Sequence, residues 1–144
     1  MKTRFHALFI CAIAALFAVS TGWATPIELS YDESAGEYYV NMYKKETYEL
    51  TLTSEDVANS ASFYVYDDGG KNGYYSNGCD GTLVITAPDG YTLKIEGSHS
   101  GENYSGDKLS IYDGDSYSDR LLSQYGSFTV GPFISQSGIF RVHF

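Results

Sequence analysis

From Thr25 onward the chain never holds an apolar face at helical spacing beyond a turn or two. It breaks instead into short runs rich in Val, Ile, Leu, Thr and Tyr, parted by clusters of Gly, Asp, Asn and Ser. Such runs suit pleated strands and such clusters suit turns, so an all-β domain is predicted. The candidate strands are Ile27 to Tyr31, Glu37 to Tyr43, Thr47 to Thr53, Ser62 to Asp67, Thr82 to Ala87, Tyr91 to Glu96, Lys108 to Tyr112 and Gly138 to Phe144. Two-residue alternation marks one buried face in several of them. It nominates Tyr48/Leu50/Leu52, Tyr91/Leu93/Ile95, Leu109/Ile111 and Phe140/Val142/Phe144 as core. Pro88-Asp89-Gly90 has the chemistry of a tight turn joining two strands as a hairpin within a meander, and Asp113-Gly114 closes another strand. Only Ser54 to Val57 looks helical, with Ser54 as its N-cap. About eight strands in one domain predict a two-sheet antiparallel β-sandwich.

Met1 to Ala24 has the anatomy of a secretory signal peptide. Lys2 and Arg4 lead, Ala7 to Val19 is an almost unbroken apolar run, and Gly22-Trp23-Ala24 places small residues before a cut ahead of Thr25. That run is too short to span a bilayer, and no later stretch approaches ~20 apolar residues. Secretion is therefore expected, to a periplasm, a cell surface or the medium, with no membrane span in the mature chain. Removing 24 of the 144 residues leaves 120, enough for one domain made of a β segment over 25–61 and a β-sandwich region over 62–144. The mature segment keeps 7 basic against 18 acidic residues, a net charge of −11. With no basic cluster beyond Lys44-Lys45, it offers no electrostatic footprint for phosphate backbones or anionic lipid, which argues against nucleic acid as a partner. Cys79 is the one cysteine beyond the leader, so no internal disulfide staples the fold and packing must carry the core. The thiol is a small buried hydrophobe, a free group, or a link to another chain.

In order along the chain stand Tyr66-Asp67-Asp68-Gly69-Gly70-Lys71-Asn72-Gly73-Tyr74-Tyr75-Ser76-Asn77, then Leu83-Val84-Ile85-Thr86-Ala87-Pro88-Asp89-Gly90-Tyr91, then Asp107-Lys108-Leu109-Ser110-Ile111-Tyr112-Asp113-Gly114, and finally Phe140-Arg141-Val142-His143-Phe144. This ordered set resembles the CUB domain family, whose members run from a glycine-containing opening through a Y-S-N segment and an I-x-A-P-x-G-Y hairpin to a D-x-L-x-I-x-D-G hairpin and a last F-x-V-x-F-like strand. The resemblance covers Phe63 to Phe144. It implies a jelly-roll-like pair of antiparallel sheets and a module for extracellular protein recognition. The chain departs from the family pattern in lacking its disulfides, with Cys79 out of step with the family's cysteine, and in carrying Leu83 where many members have Trp. The family's last strand would also fall after Phe144. Either the chain is a piece of a longer protein, or Ile27 to Thr53 supplies that strand; in the first case an open sheet edge predicts self-association.

Some CUB domains hold calcium through loop acids. The resemblance carries Asp107 and Glu102 over to two of these positions, while a third has no counterpart. Calcium takes about six to eight oxygens, so two carboxylates make at best a weak site beside the plainer reading of solvated loop acids. Asp113 to Asp119 has the acid density of an EF-hand loop but places Ser118 and Gln124 where that loop needs Gly and Glu, and is read as a polar turn. Gly69-Gly70-Lys71-Asn72-Gly73 is read as a turn needing positive φ at several positions. No H-E-x-x-H, C-x-x-C or Walker loop is present. Gly97-Ser98-His99-Ser100-Gly101 has nucleophile-elbow spacing with His in the nucleophile's place and is read as a loop. His143 alternates away from the core face and is read as exposed. A non-catalytic module is expected.

All 14 tyrosines lie beyond the leader, more than the core of so small a domain absorbs. Tyrosine is rigid and amphipathic, which suits contact surfaces. Two readings follow. In the first, which the CUB resemblance favours, the partner is an extracellular protein. In the second, exposed Tyr74, Tyr75 and Tyr104 stack on the sugar rings of a glycan, a reading weakened by the absence of Trp from the mature chain and favoured by any coplanar exposed rings in a groove.

Overall fold

Apolar alternation and turn clusters place the elements in the computed structural model, which describes residues 24–101 and 108–144. In chain order they are β1 (Thr25–Pro26), β2 (Ser30–Asp32), β3 (Glu37–Asn41), β4 (Lys45–Thr51), α1 (Ser54–Asn59), β5 (Tyr64–Tyr66), β6 (Asp80–Thr86), β7 (Lys94–His99), β8 (Lys108–Asp113), β9 (Arg120–Tyr125), β10 (Phe128–Ile134) and β11 (Ile139–His143). Six strands form one sheet in the order β1-β4-β6-β11-β8-β9, and two smaller sheets, β2-β3-β5 and β10-β7, make the rest. The large sheet shares a core cluster with each. Val40 and Met42 pack with Leu50, Leu52, Leu83, Ile85 and Val142, while Val130 packs with Ile111 and Phe140. The result is an all-β sandwich whose second layer is divided in two.

The expected sandwich therefore stands, with finer differences. There are eleven strands among the described residues, not eight, and two of the three sheets are mixed, since β1–β4, β4–β6 and β3–β5 run parallel, while β10-β7 is antiparallel as expected. After β4 the chain leaves through α1 and β5, which pairs in another sheet, before returning as β6. Such a crossover yields parallel neighbours, where a short turn would have yielded an antiparallel pair. The turn at Pro88-Asp89-Gly90 forms, with Tyr91 N–H donating to the Pro88 carbonyl at 3.1 Å, yet β6 and β7 lie in different sheets, so it is a crossover and not a hairpin. Tyr91 consequently stays 49 % exposed and leaves the expected core. Leu50, Leu52, Ile111, Phe140 and Val142 are buried as the alternation predicts.

β6 is flanked on both sides and buried from Gly81 to Ile85, which explains its unbroken Leu83-Val84-Ile85 run. Its far face is covered by the β8–β9 connection. Tyr117 of that connection lies 3.5 Å from Thr82 Oγ1 and carries the Arg141 guanidinium at 4.7 Å from its ring centre, and Arg141 also donates to the Asp115 carbonyl. His143, expected to be simply exposed, is half-buried with Nε2 at 2.9 Å from Asp80 Oδ1. The short helix starts one residue earlier than its sequence suggests: Thr53, not Ser54, is the N-cap. Thr53 Oγ1 accepts from Asp56 N–H and Asp56 Oδ2 accepts from Thr53 N–H, a reciprocal capping box.

Candidate functional site

On β3 the buried Val40 faces the core, so Glu37, Tyr39 and Asn41 point to the opposite, outer face. The parallel ladder sets Tyr39 beside Tyr64 and Asn41 beside Tyr66, and the antiparallel one sets Asp32 beside Glu37. Three tyrosine rings, two carboxylates and an amide are thus gathered on one face of the β2-β3-β5 sheet. Tyr64 and Tyr66 are parallel within 4° at 5.8 Å, and Tyr39 meets Tyr66 at 6.2 Å.

The segment after β5 folds over this face and makes a groove. Asp67 starts the return by accepting from Gly69 N–H at 2.8 Å. Of the glycines expected to need positive φ, only Gly70 has it, at +69°. Gly69 and Gly73 are required for another reason: a Cβ on the first would collide with the Tyr74 backbone and on the second with the Gly69 carbonyl, so the loop pinches shut there. Lys71 then reaches Glu37 at 2.5 Å, and Tyr66 donates its phenol hydrogen to the same Glu37 oxygen at 3.0 Å. The groove between sheet and loop encloses about 180 Å³ and is lined by Asp32, Glu37, Tyr39, Asn41, Tyr66 and Lys71, with Gly70 and Asn72 at its loop side.

Its electrostatics follow from these bonds. The Glu37 carboxylate holds the Lys71 ammonium above its ordinary pKa through the hydrogen bond they share. Burial first, and then donation to Glu37, raises the Tyr66 phenol, which therefore remains a hydrogen donor at neutral pH. Asp32 is lowered chiefly by the Ser34 hydroxyl, and its Oδ1 also accepts from the Ser34 and Ala35 backbone N–H groups. Asn41 Oδ1 is buried and, among the described residues, accepts no hydrogen bond.

Of the residues expected to form a site, two are described, Tyr74 and Tyr75. Tyr74 is 95 % exposed at the tip of the loop, whereas Tyr75 turns inward and meets the Phe144 ring edge-on at 5.0 Å, so the two do not share an exposed face. Tyr104, Glu102 and Asp107 lie outside the described residues. Among the described residues no group of three or more His, Cys, Asp and Glu side chains converges on a metal-sized point. Asp113 serves the fold rather than a calcium loop, as its carboxylate receives the Gln136 N–H at 2.7 Å and the Ser135 hydroxyl at 2.9 Å. His99 belongs to β7 and not to a loop; its Nδ1 donates to the Gly126 carbonyl at 2.8 Å and its ring stacks on Phe128. Cys79 is a free, half-buried thiol that donates to the Ser76 carbonyl and Asp68; burial and the Asp68 carboxylate push it up to about 11, so it is no nucleophile at neutral pH. The sequence did not single out Glu37, Asn41 or Lys71 as site residues. The alternation of Glu37-x-Tyr39-x-Asn41 was legible, but the pairing of β3 with β5 that completes the groove was not.

Family models, curated proteins and solved structures were all compared with the chain, and none matches it.

Proposed function

We propose that this chain is an exported, non-catalytic recognition module of CUB-like type, binding an extracellular protein or glycan. The leader pattern of residues 1–24, the ordered motifs from Phe63 to Phe144 and the two-layer all-β architecture support the class. One observation carries the binding role: a groove of about 180 Å³ in which tyrosine rings, carboxylates, an amide and an ammonium converge on a solvent-facing sheet surface. Such a mixture of apolar walls and a few oriented polar groups is what a recognition site needs. Within the groove Lys71 is paired with Glu37, and the described histidines bond elsewhere, His99 to the Gly126 carbonyl and His143 to Asp80.

The purified protein, immobilised and offered to a glycan array and to extracellular protein in parallel, tests the role. Retention by either arm supports a recognition module, and retention by neither refutes it. Calcium assistance rests on Glu102 and Asp107 alone. A melting temperature higher in millimolar calcium than in chelator supports it by mass action, and superimposable melts remove it. No helix among the described residues is long and apolar enough to cross a membrane.

A further inference from the structure

Resting on the recognition-module reading, we propose that the groove between the β2-β3-β5 sheet and the Gly69–Gly73 loop is a subsite for one ring of a neutral saccharide. Three observations choose this ligand class. The first is size. At about 180 Å³ the groove falls below the roughly 300–1,000 Å³ that enclose a drug-sized molecule, so it admits one ring or one side chain of something longer.

The second is charge. Lys71 and Glu37 neutralise each other at 2.5 Å, and Asp32 Oδ1 is committed to its own turn. An anionic ligand would meet Glu37 and Asp32, and a cationic side chain would meet the Lys71 ammonium already on Glu37, leaving it only Asp32, whose Oδ1 is taken up by the Ser34 and Ala35 N–H groups. A neutral ligand meets neither penalty.

The third is the pattern of hydrogen-bonding groups. The Asn41 amide lines the groove with its Oδ1 buried and unbonded, so that oxygen takes a ligand's hydrogen once the amide turns toward the groove; Lys71 and Asn72 are donors, and the Glu37 carboxylate is an acceptor oriented by Tyr66. An apolar side chain would leave Asn41 Oδ1 without a partner, which is unfavourable in a closed site. Adjacent hydroxyls of a sugar both donate and accept, so they satisfy the whole set. The ring's C–H face meanwhile has the Tyr39 and Tyr66 rings of the lining to lie against, and Tyr64, 53 % exposed and parallel to Tyr66 at 5.8 Å, extends that aromatic surface beyond the groove.

The test titrates the protein with tetrasaccharides of glucose, mannose, galactose, xylose and N-acetylglucosamine, following the Asn41 side-chain amide resonance by NMR and the affinity by calorimetry. At least one tetrasaccharide shifts the Asn41 resonance. Tyr64→Ala weakens its binding about tenfold, and Asn41→Ala weakens it about fivefold. Tyr74→Ala, at the exposed loop tip, leaves it unchanged. Circular dichroism of each variant confirms that it folds, and the exposed Tyr64 serves should Asn41→Ala fail. Three results overturn the subsite: no tetrasaccharide binds, binding survives both groove variants, or binding is lost with Tyr74→Ala instead. Retention of an extracellular protein in the first of these cases leaves the module reading intact while the saccharide falls; an absence of any ligand removes both.

Discussion

At the end of β8, Asp113 accepts from the Ser135 and Ser137 hydroxyls and from the Gln136 and Ser137 N–H groups, and so moors the connection between β10 and β11. Burial works to raise its pKa, but the Ser137 and Gln136 bonds outweigh it and bring the carboxyl down from 3.8 to about 2. A depressed folded-state pKa stabilises the protein above the unfolded value and ceases to do so as pH falls toward the folded one. Asp113→Ala is therefore expected to cost roughly 2 kcal/mol at pH 7. Urea titrations at pH 7 and near pH 2 check this: the gap between the two proteins narrows in acid. The sequence shows a turn at this residue, but not the partners some two dozen positions away that set its charge state.

Among the elements, β10 shows why a strand can escape a reading by alternation. Its ladder with β7 slips between Val130 and Phe133, where Gly131-Pro132 interrupts the pattern. Pro132 has no N–H to give a ladder and is tolerated at such an irregularity. Gly131 has φ +67°, and a Cβ there would strike the Ile95 carbonyl and the Phe133 N–H, so both the backbone angle and the space demand glycine. Gly131→Ala should destabilise by more than about 2 kcal/mol, seen as a lower urea midpoint. At α1 the capping box predicts a milder loss, about 1 kcal/mol for Thr53→Ala against a negligible one for Ser54→Ala. Equal losses would move the cap back to Ser54. The alternation of β3 was open to reading in advance, because period two is a local property of the chain; its outer face became a site only through the neighbours it acquired.

Across the molecule, the six-stranded sheet joins two core clusters. Leu83 on β6 belongs to one and Ile111 on β8 to the other, and both are fully buried. Because β11 is hydrogen-bonded to both strands, the clusters are expected to melt together. Leu83→Ala and Ile111→Ala should each cost about 2–5 kcal/mol and shift one common transition in far-ultraviolet dichroism and tyrosine near-ultraviolet signal; two separate transitions would refute the coupling. β1 and β9 form the edges of that sheet, and size-exclusion chromatography at two concentrations tests self-association there, earlier elution of the more concentrated sample being the expected sign. Strand content, the buried Leu50, Leu52, Ile111, Phe140 and Val142, and the acidic composition were legible in the linear chain because they depend on the residues themselves and on neighbours one or two positions away, whereas the full burial of Ser110 beside Ile111 on β8 was not. Parallel pairing through crossovers, the divided second layer and the groove over Asn41 arose only on folding, since each depends on which distant segments share hydrogen bonds, and turn chemistry does not specify the sheet to which a strand returns.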